Sequence, residues 1–274
     1  MKLDIQLNPA TTPWPVLREA AQTAEAAGFD TLWTWDHLSG AMLAGDTMLE
    51  CFTLLGALSE VTSSIRLGTL VVNVANRHPG LLATAAATVQ AMSEGRFTFG
   101  LGAGASPKSP FAAEQRALGV DIPPRLADRH RRLLDALDLL DAMWAADRDP
   151  RWTGFPRPDP RPPILLGVNS RPLAEVAGRR TQGINVRADH PDLEGLLATA
   201  EAARAAALAR ADGDPSGALG STWTNSVWDL WDDRLLDPAD ERRRRWAELG
   251  VDRLVLVCVE HCMPDQLRSL GRLR

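Results

Sequence analysis

Short apolar, β-branched runs alternate with longer helical stretches along nearly the whole chain, and this alternation most narrows the folds open to it. Strand-like runs lie at Leu3 to Leu7, Thr31 to Trp35, Ile65 to Val72, Phe97 to Leu101, Pro163 to Val168, Gly183 to Val186 and Arg253 to Val259. Between them the 3.6-residue period predicts helices at VLREAAQTAEAAG (with Thr11 or Thr12 as cap), Met48 to Glu60, Pro79 to Met92, Arg125 to Trp144, Pro172 to Arg180, Leu193 to Arg210, Ala239 to Leu249 and Asp265 to Leu273. A further strand near Ser221 to Val227 lies in GDPSGALGSTWTNSVWDLWDD, which has no clean pattern. Eight strands in this rhythm predict an α/β fold, a (β/α)8 TIM barrel over residues 1–274 as one domain, irregular or shortened around strand seven.

A length of 274 residues suits one large barrel, and no apolar run approaches the roughly 18 residues a membrane span needs. The N-terminus, MKLDIQLNP, enters an apolar alternation at once without a signal-peptide core, which predicts a cytoplasmic protein. Net charge is −5 with both signs interspersed, so nothing draws the chain to nucleic acid or to an anionic membrane. The dense basic run Arg242 to Arg245 follows Asp237, Asp240 and Glu241 and reads as a solvated helix face with acid-to-base pairs. Three cysteines form no CxxC pair; Cys258 reads as a buried thiol, and a metal site from Cys258, His261 and Cys262 matches no zinc spacing.

A parallel barrel places its chemistry at the C-terminal ends of its strands. The polar residues there are Asp36 and His37 after strand two, Asn73 after three, Ser106 after four, Asn169, Ser170 and Arg171 after five, and Asn185 and Arg187 after six. His37 could exchange a proton near neutrality, with a structural histidine bonded to a carbonyl as the competing reading. GLGAG, Gly100 to Gly104, is either a simple strand-to-loop turn or a place where a flat ring or phosphate nears the backbone; it lacks the third glycine of a dinucleotide fingerprint. Asn169-Ser170-Arg171-Pro172 reads as a helix start that would favour an anion, with Arg171 adding its charge, or else as an ordinary cap.

AAQTAEAAGFDTLWTWDHL, SEVTSSIRLGTLVVNVANRHPGLLATAAATVQAMSEGRFTFGLGAG and PPILLGVNSRPLAEVAGRRTQGINV together resemble the bacterial luciferase-like flavin and deazaflavin oxidoreductases. They are most similar to the branch that uses the 8-hydroxy-5-deazaflavin coenzyme, coenzyme F420. The resemblance implies a barrel whose rim holds a flavin-like ring, with a non-proline cis peptide at Leu70-Val71 behind it. It implies that Asp36 and His37 sit by the reactive ring carbon, and that Gly102, Ala103 and Gly104 form a backbone wall. Val168, Asn169 and Ser170 would form the phosphate loop. The implied activity is hydride transfer between the coenzyme and a small organic substrate, with His37 handling the proton, in a homodimer.

Two alternatives stay open: an FMN-dependent monooxygenase of the same fold, and a barrel that has lost its cofactor and serves as a binding or assembly protein. The branch that oxidises glucose 6-phosphate carries an acid at the end of strand one, where this chain has QLNPATTP, so the resemblance does not carry over that sugar oxidation. Ala105-Ser106 replaces an acid found in some members, and Trp223, Trp228 and Trp231 mark a region unlike the family's usual seventh strand.

Overall fold

The computed structural model describes residues 1–210, 222–259, 264–271 and 273. The strands are β1 (Lys2–Gln6), β2 (Thr31–Thr34), β3 (Arg66–Thr69), β4 (Val72–Asn73), β5 (Phe97–Gly102), β6 (Ile164–Gly167), β7 (Gly183–Arg187), β8 (Thr224–Leu230) and β9 (Arg253–Val257). Every ladder between them is parallel, in the order β3-β2-β1-β9-β8-β7-β6-β5-β4, and a β3–β5 pairing closes the sheet on itself. β5 pairs with β3 through Leu67↔Phe97 and with β4 through Val72↔Leu101, so β3 and β4 are two halves of one stave. The result is a closed eight-stave parallel barrel, the (β/α)8 architecture.

Around it lie α1 (Trp14–Ala27), α2 (Cys51–Val61), α3 (Pro79–Met92), α4 (Ala113–Ala117), α5 (Leu126–Trp144), α6 (Arg171–Arg180), α7 (Leu193–Arg210), α8 (Glu241–Glu248) and α9 (Pro264–Ser269). Alternation along the strands sorts the core into two layers. In β9, Leu254 and Leu256 join the large cluster under the helices, while Val255 and Val257 join a small cluster inside the barrel with Trp33, Leu70 and Leu165. No helix among the described residues is long and apolar enough to cross a membrane.

The barrel interior is closed at the strands' N-terminal pole by a polar knot. Trp33 Nε1 donates to Asp4 at 3.0 Å, Arg253 donates to both Asp4 oxygens at 2.7 and 2.9 Å, and Arg253 also pairs with Asp30. Gly68 makes room for this plug, because a Cβ there would stand 2.4 Å from the Trp33 ring. Burial pushes the Asp4 carboxyl up to about 6, against the pull of Arg253 and Trp33.

Several expectations need correction. The seventh stave, β8, runs over Thr224–Leu230, three residues past the expected end at Val227, and residues 211–221 before it lie outside the described residues. Its polar residues hid it: Asn225 bonds Glu201 and the Gly250 carbonyl, and its N–H is taken by Asp252, so tertiary partners replace an apolar alternation. Neither Thr11 nor Thr12 caps α1; the cap position is Pro13, without a side-chain bond, and Thr11 Oγ1 is buried without a partner. Between β2 and α2 the chain makes a short 3-10 turn, Gly40–Leu43. Cys258 is buried but is not a free thiol. The metal reading falls on His261 and Cys262, which lie outside the described residues. The basic run follows expectation only in part: Arg242 pairs with Asp240 and Asp232, but Arg243 is buried and donates to the Leu235 and Leu236 carbonyls.

Candidate active site

A cavity of about 690 Å³ opens among the C-terminal ends of the strands, within the range of small-molecule sites. Every stave contributes to its lining, from Gln6 on β1, Trp35 after β2 and Leu70-Val71 between β3 and β4, through to Val257 on β9. A second cavity, of about 590 Å³, lies at the opposite pole beside Lys2, Arg66 and Arg253. There Lys2 pairs with Asp30, and Arg253 with Asp4 and Asp30, so its cations belong largely to the fold.

The peptide bond Leu70-Val71 is cis, at the break between β3 and β4, and both residues line the cavity. Three glycines surround Val71. A Cβ at Gly102 would stand 2.7 Å from Val71 Cγ2, one at Gly167 3.2 Å from both of its methyls, and one at Gly100 3.3 Å from Cγ1. GLGAG thus first serves to seat the Val71 side chain, while Gly102, Ala103 and Gly104 also line the cavity themselves. Gln6 Nε2 donates to the Leu70 carbonyl at 2.9 Å and ties the bulge to β1. Gly104 has φ +75° and lies close under Asn73, whose Oδ1 would be 2.6 Å from a Cβ there, so only glycine suits the position.

Asp36 and His37 do not line the cavity. Asp36 is buried and accepts from Arg77 at 2.6 Å, from Asn76 Nδ2 at 3.1 Å and from the Asn73 N–H at 3.1 Å. Burial pushes its carboxyl up to about 6 although Arg77, Asn73 and Asn76 all pull the other way. Its contacts lock the loop after β2 to the loop after β4. His37 Nδ1 lies 3.0 Å from Glu114 Oε1, and Glu114 Oε2 accepts from the N–H groups of Leu38 and Ser39 at 2.8 and 3.0 Å. Burial acts to raise the Glu114 carboxyl, but His37 and these N–H groups outweigh it and hold it below its ordinary value.

Of the other expected residues, Ser106, Val168 and Asn169 line the cavity, and Asn73, Ser170 and Arg171 do not. Ser170 occupies the cap position of α6 without making a cap bond, and its Oγ is buried without a partner. Arg171 is exposed, and its guanidinium is committed to Asp192 at 2.9 and 3.0 Å. Its charge is therefore already met on the surface.

The structure adds residues that sequence reasoning missed. His130 and Arg129, on the first turns of α5, and His190, after β7, line the cavity, as does Trp228, over whose ring Arg187 lies at 5.5 Å. Burial, helped by the adjacent Arg129 charge, holds the His130 imidazole below its ordinary value. His190 Nδ1 accepts from the Asp192 N–H at 3.1 Å, which leaves Nε2 for a ligand. Arg129 was legible in principle: it stands four residues before Leu133 on the helix face that continues through Leu137 and Leu140, a charged residue on a buried stripe.

Residues 3–223 match the luciferase-like monooxygenase family. The chain belongs to that family. It is similar to the F420-dependent hydroxymycolic acid dehydrogenase of Mycobacterium tuberculosis, with 33% identity over 199 residues, 68% of this chain and 53% of that protein. Similarity to the F420-dependent glucose-6-phosphate dehydrogenase of Microbacterium testaceum is 30% over 181 residues, 62% of this chain and 52% of that protein. The luciferase-like chain thus spans about half the length of these curated relatives. Among solved structures, an F420-dependent secondary alcohol dehydrogenase in complex with an F420-acetone adduct superposes with a TM-score of 0.77 at 17% identity, over 100% of this chain and 98% of that one, which shows the shared fold.

Proposed function

We propose that this luciferase-like protein is a coenzyme F420-dependent oxidoreductase that transfers a hydride between the deazaflavin and a small organic substrate in the rim cavity, working as a homodimer. The observation that carries this reading is the open wall at Leu70-Val71: three glycines seat the Val71 side chain there, and Gly102 to Gly104 continue the wall, so a cavity of about 690 Å³ stays open. The residues present fit such a coenzyme, since the wall is small and apolar and Arg129 Nε and Ser170 Oγ are buried beside the rim without partners. When bound, the coenzyme supplies two electrons as hydride. The names of the relatives above add support from similarity.

The chain's own part is to orient and to manage one proton. Trp35, Leu70 and Trp228 offer apolar surface for a ring, and Asn169 and Asn185 offer polar groups at the cavity wall. His130 and His190 line that wall, whereas His37 is held by Glu114 away from it, so the proton is exchanged at His130 or His190 and His37 positions the loop after β2.

Titration with coenzyme F420 and with FMN, followed by fluorescence quenching, tests the reading. Tighter binding of F420 supports it, preference for FMN favours a monooxygenase of the same fold, and binding of neither makes the barrel a binding or assembly protein. His37→Ala is expected to keep coenzyme affinity within a few-fold and to keep turnover. A sharp loss of turnover at unchanged affinity would return the proton step to His37.

A further inference from the structure

Among the described residues that line the rim cavity there are two arginines and no carboxylate. Arg187 has its charge met by Asp189 at 2.6 Å on the exposed side of the loop. Arg129 does not. It is 8% exposed, its Nη1 donates to the carbonyls of Pro123 and Pro124 at 3.0 and 2.9 Å, and its Nε is buried without a partner. Two neutral carbonyls fix the guanidinium but do not neutralise it, and a buried charge without a counter-charge is costly. The residue also stands in the first turn of α5, a helix of 19 residues with no side-chain cap at its N-terminus, where the helix end itself favours negative charge. Beside it His130 lines the same cavity, its imidazole without a hydrogen bond to a described residue, and Ser106 and Ser109 are further polar residues of the lining.

We propose that Arg129 is the seat of an oxyanion, a phosphate or carboxylate carried into the rim cavity by coenzyme or substrate, with His130, the next residue on α5, lining the same cavity. This takes over the part that Arg171, paired with Asp192 on the surface, does not play. Planar guanidinium suits both oxyanions through paired N–H donors. The identity of the ligand rests on the coenzyme reading above; the existence of the anion seat does not.

Calorimetric titration of the wild type, Arg129→Lys and Arg129→Gln with FMN, riboflavin and coenzyme F420 separates the sources. If the coenzyme's phosphate sits at Arg129, Arg129→Gln loses about ten- to hundredfold in affinity for FMN and F420, Arg129→Lys loses less, and riboflavin, which has no phosphate, binds as before. If the anion is the substrate's, all three ligands bind the variants normally. In that case sodium succinate shifts the His130 imidazole resonances in the wild-type NMR spectrum, assigned with His130→Gln, and the shift is lost in Arg129→Gln. An equal loss for FMN and riboflavin would make Arg129 a clamp on Pro123 and Pro124 and overturn the proposal. So would unchanged ligand affinities together with no response of His130 to phosphate or succinate. A wild type that binds no flavin defeats the coenzyme reading alone, because the phosphate and succinate titrations of His130 still decide the anion seat.

Discussion

Asp36, at the rim position expected of it, ties the loop after β2 to the loop after β4. Its carboxylate is spent on Arg77, Asn76 and the Asn73 N–H. Its folded-state value of about 6 lies above the ordinary 3.8, so the folded protein holds that proton more tightly than the unfolded chain. The contribution to stability is fully present below about pH 4 and is lost as pH rises through about 6. Relative to Asp36→Asn, the wild type should therefore lose on the order of 2–3 kcal/mol between those limits, measured by urea unfolding across the range. A difference that does not vary with pH would refute the assignment. Gly102 gives a second prediction at this scale. A methyl there would stand 2.7 Å from Val71 Cγ2, so Gly102→Ala should push Val71 toward the cavity and weaken coenzyme binding by about tenfold, with a folded protein by circular dichroism.

At the scale of elements, the packing of α6 on α7 hinges on one small residue. A Cβ at Gly178 would lie 2.1 Å from the Ala200 carbonyl oxygen and 2.9 Å from Ala203 Cβ. The neighbour is helix backbone and cannot swing aside, so Gly178→Ala should destabilise the protein by about 2–3 kcal/mol in denaturant unfolding while leaving the remote rim cavity able to bind. Helices were the most legible elements in the sequence. Pro79–Met92 and Leu193–Arg210 fall where the 3.6-residue period, with a proline at the start of the first, puts them. By residue pattern the third stave reads as one run, Ile65 to Val72; the break between β3 and β4 was indicated only by the family resemblance, which put the cis peptide at Leu70-Val71, where the structure has it. β8 was obscured for the opposite reason: its polar residues find partners on other elements, which a local pattern cannot register.

For the whole molecule, closure of the sheet brings residues from every stave to a single cavity, and a ligand there should stabilise the barrel as a unit. Coenzyme at about a hundred times its dissociation constant should add about 2.7 kcal/mol, read as a rise in thermal midpoint; no rise would mean that the cavity does not take it. Light scattering at the same concentrations tests the proposed homodimer. The alternation of strand and helix was enough to fix the (β/α)8 class, because period and segment length are local properties that follow from burying one face of each element. It also set out the rim, since parallel strands all end on one side. Which rim residues face the cavity was decided only in three dimensions. His37 turns to Glu114 and Arg171 to Asp192, partners 77 and 21 positions away, while Arg129 and His130 reach the cavity from a helix rather than from a strand end. Side-chain direction depends on which distant partner satisfies each polar group, and that pairing exists only once the barrel has closed.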